Sequence, residues 1–376
     1  MIDFKKALSP CYIVDEEKLR SNLSIIKNIA DKAGVEIILA LKANAMWKLF
    51  PIIREYVHGT TASSINEARL AYEEFGKNVY TYAPIYKENE IEEIANYSKH
   101  IIFNSISQYE RHRQLVQQKN ISCGLRVNPG YSPVEKDIYN PCSSGSRLGI
   151  PKEQLKELPQ GIDGLLFHAL CESNSNDLAH ALKVFKENFS HILPHIKWLD
   201  MGGGHLITHK DYNCDDLISI LTQFKQEYQH IKIIMEPGSA FTWQTGCLVS
   251  TIEDIIENNG VSTLILDVSF TCHMPDCLEM PYKPSVIGAH NPKQGEKKWR
   301  LGGNSCLAGD FMGDYAFDNE PQIGNRVVFE DMIHYTTVKT TMFNGVAHPS
   351  IAIAESNGNI KVLKNFNYED YKNRMS

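Results

Sequence analysis

Two rhythms of hydrophobic and polar positions run along this chain. Over the first two-thirds, short apolar runs alternate with longer stretches in which apolar residues return every three or four positions. Eight runs read as strands: 37–42 (IILALK), 58–63 (HGTTAS), 79–83 (VYTYA), 100–104 (HIIFN), 122–128 (SCGLRVN), 164–169 (GLLFHA), 197–202 (KWLDMG) and 231–236 (IKIIME). Helical patterns separate most of them, among them 65–75, 88–97, 178–192 and 215–228, and residues 15–32 carry Leu19, Leu23, Ile26 and Ile29 near helical spacing. Eight strands alternating with helices over ~250 residues predict a (β/α)8 barrel. From Gly246 onward, strand-like runs follow one another across turn residues (CLVSTIEDII, VSTLILDVS, NRVVFED, SIAIAES, NIKVLKN). That pattern predicts a mainly antiparallel β domain, which residues 12–14 are expected to join. The expected organisation is therefore α/β, with a barrel over 15–243 and a β domain built from 1–14 and 244–376. A chain of 376 residues is also too long for one ordinary core.

Composition narrows the function without naming it. The chain is 43% hydrophobic and 22% charged, with a formal net charge of −7 and no run of Lys or Arg, which argues against a nucleic-acid partner. No apolar run approaches the ~20 residues of a membrane span, and the opening MIDFKKALSP lacks the apolar core of a signal peptide. The nine cysteines show neither CxxC pairs nor zinc-like spacing, so reduced thiols in a reducing compartment, and no metal site, are expected. The expected location is the cytoplasm, and no membrane partner is expected.

Barrel enzymes carry their chemistry at the C-terminal ends of the strands. There the sequence places Lys42, then Arg126 and Asn128, then His168 followed by Cys171 and Glu172, then Gly202, Gly203, Gly204 and His205, and finally Glu236 before Pro237 and Gly238. Taken singly, each has a plain structural reading: a salt-bridged lysine, a core histidine, a tight turn, a turn carboxylate. Together their chemistry is complementary. A partly desolvated lysine forms a Schiff base with an aldehyde. Consecutive glycines let backbone N–H groups approach a phosphate. A carboxylate keeps a pyridine nitrogen protonated, which makes the ring an electron sink, and a histidine stacks on the ring face. The set points to pyridoxal 5′-phosphate.

These residues lie in segments that resemble a known family. A-L-K-A-N at 40–44, S-R-L-G at 146–149, F-H at 167–168, G-G-G-H at 202–205 and M-E-P-G at 235–238 are similar to those of the alanine-racemase-fold decarboxylases, which include the ornithine, diaminopimelate and carboxynorspermidine decarboxylases. G-N-S-C-L-A-G-D at 303–310, F-E-D-M at 329–332, H-Y-T at 334–336 and F-N-G at 343–345 continue the match in order along nearly the whole chain. Within that group F-H-A-L-C-E at 167–172, H-M-P-D-C-L-E-M-P-Y at 273–282 and C-L-A-G-D at 306–310 resemble the carboxynorspermidine/carboxyspermidine decarboxylases. One departure from the diaminopimelate and ornithine enzymes stands out: Ser239 and Ala240 follow E-P-G where those enzymes have an arginine, so the contact that arginine makes to a phosphate or substrate carboxylate must come from elsewhere.

The resemblance implies a decarboxylase of polyamine biosynthesis, and it implies roles. Lys42 carries the cofactor, Glu236 pairs with the pyridine nitrogen and also borders the substrate, and His168 stacks on the ring. Arg147 lies near the ring or its phenolic oxygen, and Gly203, Gly204 and Tyr335 help hold the phosphate. Cys306, donated by the β domain of a second subunit, is the proton donor, which requires a homodimer. Asp276 and Asp310 are the candidates for the substrate's amino groups, with Glu172 and Asp314 as further acidic residues able to attract a polyamine cation. A thiol suits the donor role, because its pKa of ~8.5 keeps it largely protonated at neutral pH. Decarboxylation of another amino acid such as meso-diaminopimelate, racemisation, and a non-catalytic cofactor-binding or regulatory protein are the alternatives.

Overall fold

The computed structural model describes residues 2–376, which divide into two compact units, Ser21–Phe241 and a second made of residues 2–20 with Thr242–Ser376. The chain opens with β1 (Cys11–Asp15), which belongs to the second unit. The first unit is a parallel sheet of nine segments: β2 (Glu36–Ile37), β3 (Leu39–Ala40), β4 (Thr60–Ala62), β5 (Val79–Tyr82), β6 (His100–Phe103), β7 (Ser122–Arg126), β8 (Ile162–Leu166), β9 (Trp198–Asp200) and β10 (Lys232–Met235). The order is β2-β10-β9-β8-β7-β6-β5-β4-β3. Segments β2 and β3 are consecutive pieces of one strand. The Ile38 amide bonds to Met235 O at 2.9 Å on one side, and the Leu39 and Leu41 amides bond to Gly59 O (3.0 Å) and Thr61 O (3.1 Å) on the other. The sheet therefore begins and ends on the same stretch of chain and closes as an eight-strand barrel, as the alternation predicted.

The barrel interior explains several sequence choices. Ile38, Tyr80, Tyr82, Ile102, Leu166, Trp198 and Ile234 form one buried cluster. Trp198 lies across two neighbouring strands at Gly164 and Gly124, where a Cβ on either glycine would meet its ring. Toward the strand starts the interior turns polar. Glu36 pairs with Lys232 and accepts from Asn78 Nδ2 (2.7 Å) and the Tyr80 hydroxyl (2.9 Å), while His100 stacks on Tyr80 at 4.0 Å and 4°. Polar ends of this kind let a parallel strand start at the barrel floor without stranding its charges.

Helices Glu16–Ala33, Ile106–Gln118, Ser175–Phe189 and Cys214–Glu227 connect the strands. Their starts carry side-chain caps where the sequence offers Ser or Asn: Ser105, Asn174 and Asn213 each accept from an amide in the first turn. The expected helix over 65–75 is α-helical only through Ile65–Leu70 and widens into a π-turn at Ala71–Phe75.

The second unit is a mixed sheet. It contains β1, β11 (Gly246–Asn258), β12 (Val261–Leu266), β13 (Ala289–His290), β14 (Trp299–Gly302), β15 (Phe311–Phe317), β16 (Arg326–Glu330), β17 (Ser350–Ala354) and β18 (Ile360–Lys364). Most pairs are antiparallel, with β1–β17 and β12–β14 parallel. Strand β1 sits between β11 and β17, so the N-terminal strand does join this sheet. Its inward residues Cys11 and Ile13 pack with Cys247, Val249, Val328, Ala352 and Ala354. Two short helices, Phe270–His273 and Pro275–Glu279, and a C-terminal one, Tyr368–Met375, complete the unit. No helix among the described residues is long and apolar enough to cross a membrane.

Candidate active site

The C-terminal ends of the barrel strands gather Lys42, His168, the triple glycine and Glu236. The chain leaves the β3 ladder at Ala40, and Lys42 stands two residues on in a turn, half-buried, while Leu41, Ala43 and Asn44 around it are buried. No ion pair to Lys42 forms among the described residues, but Glu67, His168, Cys171 and Asp200 all feel its charge. Glu67 belongs to the helix that follows β4. Its carboxylate accepts from the Ser63 amide at 2.7 Å, and burial raises its pKa, with the Ser63 bond and the Lys42 charge opposing.

His168 is fixed by the glycines. The Gly203 amide donates to His168 Nδ1 at 2.9 Å, which makes Nδ1 the acceptor and puts the proton on Nε2. Burial, then the Lys42 and Arg126 charges, hold the ring's pKa well below the usual value. The 4.0 Å approach of Nδ1 to Glu236 Oε1 is therefore a neighbour contact of a neutral ring, not an ion pair. Beneath it Arg126, 5% exposed, lies over the Tyr82 ring at 4.7 Å and donates to His168 O at 3.4 Å. The Tyr82 hydroxyl donates to Asn104 Oδ1 at 2.8 Å, and Asn104 Nδ2 donates to Arg147 O at 2.8 Å. Asn104 so ties the loop that carries Arg147, itself exposed, to the barrel rim.

The triple glycine forms a cradle with little room for side chains. Gly202 and Gly204 hold φ of +73° and +86°, which L side chains rarely adopt. A Cβ on Gly203 would run into the Glu236 carbonyl, and one on Gly204 into the Leu170 carbonyl. The Gly202 amide donates to Asp200 Oδ1 (2.8 Å), and the Glu236 amide donates to Gly202 O (2.9 Å). With the Gly203 amide on His168, the Gly204 amide is the one of the three left for an incoming anion. Asp200, 0% exposed, and His205, 1% exposed, flank the cradle. Asp200 Oδ2 and both ring nitrogens of His205 have no hydrogen-bond partner.

The second unit carries the remaining candidates in two groups. Asp276, 3% exposed, accepts at Oδ2 from Tyr282 (3.0 Å) and Thr336 (2.8 Å), while its Oδ1 has no partner. Tyr335, half-buried at φ +22°, immediately precedes Thr336. Asp310, 5% exposed, has both oxygens engaged. Oδ1 takes the Thr271 amide (3.1 Å), and Oδ2 takes the Ser305 amide (3.1 Å) and hydroxyl (2.6 Å). The Gly303 amide also donates to Asp310 O at 2.7 Å. Cys306 is exposed at the tip of this loop, its amide held by Asn344 Oδ1 at 2.8 Å. Leu307, Phe311 and Phe343 are exposed beside it in the chain or across that bond. Arg300 pairs with Asp314 at 3.0 Å.

Sequence reasoning gave no role to Asp200, Tyr82 or Asn104. Asp200 had a readable signal: in the strand leading to the glycines it alternates with Trp198 and Gly202, hence faces inward.

A half-buried lysine, a neutral histidine, a carboxylate and an anion cradle free of side chains stand together at one barrel mouth. The chain matches over residues 11–333 the family model described as "Pyridoxal-dependent decarboxylase, C-terminal sheet domain". It is 50% identical over 368 residues to the carboxyaminopropylagmatine decarboxylase of Synechocystis sp., covering 98% of this chain and 95% of that protein. It is 41% identical over 383 residues to the carboxynorspermidine/carboxyspermidine decarboxylase of Campylobacter jejuni, covering 99% of each. The crystal structure of carboxynorspermidine decarboxylase from Campylobacter jejuni complexed with norspermidine superposes with a TM-score of 0.92 at 39% identity, over 98% of this chain and all of that one. The chain belongs to the family of pyridoxal-dependent decarboxylases with a C-terminal sheet domain. It is a decarboxylase, and its cofactor is pyridoxal 5′-phosphate.

Proposed function

We propose that the substrate is a carboxylated polyamine, carboxynorspermidine or carboxyspermidine, released as norspermidine or spermidine and CO2. The observation that carries the substrate class is Asp276: a buried carboxyl with one oxygen satisfied by two hydroxyls and the other open is a ready counter-charge for an ammonium group. Ser239 and Ala240 after E-P-G weigh against meso-diaminopimelate, whose second carboxylate needs a cation. A second polyamine, carboxyaminopropylagmatine, is favoured by the 50% identity to the Synechocystis protein of that activity. It ends in a guanidinium where the first two end in an amine.

The chain's residues divide the work. When bound, pyridoxal 5′-phosphate supplies a protonated pyridine ring that accepts the electron pair left by departing CO2. Lys42 would hold the cofactor through its aldehyde, and Glu236 would accept a hydrogen bond from the pyridine N–H and so keep that proton in place. His168, locked by the Gly203 amide, would offer a flat neutral face to the ring, and Arg147 would attend its phenolic oxygen. The Gly204 amide would hold a phosphate oxygen, with Gly203 supplying clearance, and the Tyr335 hydroxyl would hold another. Cys306 of a second copy donates its thiol proton to the carbon that lost CO2, and Asp276 takes the substrate amine. Asp310, its oxygens already taken by donors from Thr271 and Ser305, shapes the approach of Cys306.

CO2 release from each of the three carboxylated polyamines and from meso-diaminopimelate, measured on purified protein with cofactor, tests this. Turnover of a carboxylated polyamine is expected. Turnover of meso-diaminopimelate alone would overturn the substrate class.

A further inference from the structure

Two carboxyls point into the same barrel interior, one above the other. Asp200 on β9 pairs in register with Ile234 on β10, and paired residues of a parallel ladder face the same way. Ile234 and Trp198 both belong to the interior apolar cluster, so Asp200 faces inward with them, and Glu236, two residues past Ile234, faces inward one layer nearer the mouth. Asp200 is 0% exposed and Glu236 6%. The deeper carboxyl has one hydrogen bond, from the Gly202 amide to Oδ1 at 2.8 Å, and its Oδ2 meets no donor.

The groups that face Asp200 do not compensate a charge there. Glu236 and Glu36 bring negative charge, and Glu36 is already paired with Lys232. The Tyr80 hydroxyl donates to Glu36. Lys42 is the one cation among the charges acting on Asp200, and it stands half-exposed to solvent at the mouth rather than against the buried carboxyl. Two carboxyls stacked in a dry site do not both ionise, and the proton goes to the one more completely cut off from water, which is Asp200.

We propose that Asp200 remains an un-ionised carboxylic acid at the working pH, and that it is a positioning residue which leaves the pair's single negative charge on Glu236 and pins the glycine cradle through Gly202. Burial, followed by the Glu236 charge, raises the Asp200 carboxyl well above the usual carboxylate range, with the Gly202 bond opposing. What that charge does for the pyridine nitrogen rests on the proposed function; the protonation of Asp200 does not.

Infrared spectra of the holoprotein carrying 13C-labelled aspartate test it at pH 8. A carbonyl stretch of an un-ionised carboxylic acid that shifts with the label is expected, and it should vanish in Asp200→Asn. A spectrum with carboxylate bands alone would overturn the proposal, whichever substrate the enzyme takes. A second readout is the pH titration of cofactor absorbance. Asp200→Asn keeps an uncharged acceptor for Gly202, so the midpoint should hold. A move of about one pH unit, the effect of losing a charged neighbour, would overturn the neutral assignment. Asp200→Ala should weaken cofactor binding about tenfold, the loss of one hydrogen bond to the cradle, and unchanged affinity would overturn the positioning role. The labelled wild-type spectrum decides the protonation state even where a variant fails to fold.

Discussion

Replacing Asp310 by asparagine separates two roles that a carboxylate near Cys306 could have. Its oxygens accept from the Thr271 amide on one side and from the Ser305 amide and hydroxyl on the other. Asparagine turns one of those acceptors into an NH2 group in either orientation, so one backbone N–H faces a donor. At a residue 5% exposed that orphan costs ~1–3 kcal/mol. The bonds on the remaining oxygen lose charge assistance, which adds ~1 kcal/mol. The sum, about 2–4 kcal/mol, acts on opening of the 303–310 loop rather than on the barrel, and corresponds to about 30- to 1,000-fold faster opening equilibria. Hydrogen exchange at the Gly303 and Ser305 amides should accelerate by that factor, while cofactor absorbance stays intact. A displacement of the thiol by ~1 Å lowers kcat by about 10²-fold, with KM little changed. If Asp310 instead holds the substrate's amine, KM rises at least tenfold while kcat and the exchange rates hold, and the loop-clasp reasoning fails.

Three further outcomes are expected. Mixing Lys42→Ala protein with Cys306→Ala protein should restore activity through hybrid dimers that retain one intact site, and no recovery from a mixture that still dimerises would refute the shared site. His100 is held at about 4, by burial first and then by the Lys232 and Lys99 charges, against 6.5 unfolded. The unfolded chain therefore takes up a proton the folded one refuses, so its contribution is complete above pH 6.5 and is lost, on the order of 3 kcal/mol, as pH falls toward 4. His100→Phe keeps the stack on Tyr80 without the two unpartnered ring nitrogens, so its urea midpoint should fall less between pH 7 and 4.5 than wild type's; an equal fall would refute this. Gly164→Ala should cost ~1–3 kcal/mol by driving a Cβ into the Trp198 ring, and less when combined with Trp198→Leu than the two changes summed, both read from denaturant midpoints.

The barrel was legible because parallel strands buried on both faces read as continuous apolar runs. The polar run at 58–63 is the instructive case: Thr60 and Thr61 are buried in β4 and pair with Val79 and Tyr80 of the next strand, so pairing decided what hydrophobicity did not. In the second unit β13, β14 and β15 escaped notice, because Gly302 and Gly313 interrupt runs that keep strand geometry through the ladder alone. The helix Tyr368–Met375 also went unread, although Asn367 and Asp370 form a capping box. At the site, residue types were visible and bond partners were not. That the Gly203 amide is turned toward His168 depends on the φ values of its neighbours, which no residue pattern states. Likewise Asp276 and Asp310 look alike in sequence, and only their donors distinguish an open carboxyl from a saturated one.

The seam of the barrel sets an order on its assembly. Residues 36–41 bond to β10 on one side and to β4 on the other, so this stretch is complete only after the last barrel strand, almost two hundred residues later in synthesis, has docked. Contacts of such separation form late. Lys42 hangs from the end of that stretch, which means that a half-made or misregistered barrel offers its lysine no finished pocket. The cofactor's chromophore should therefore appear only in molecules whose ring has shut, and lag behind in those still awaiting the final strand.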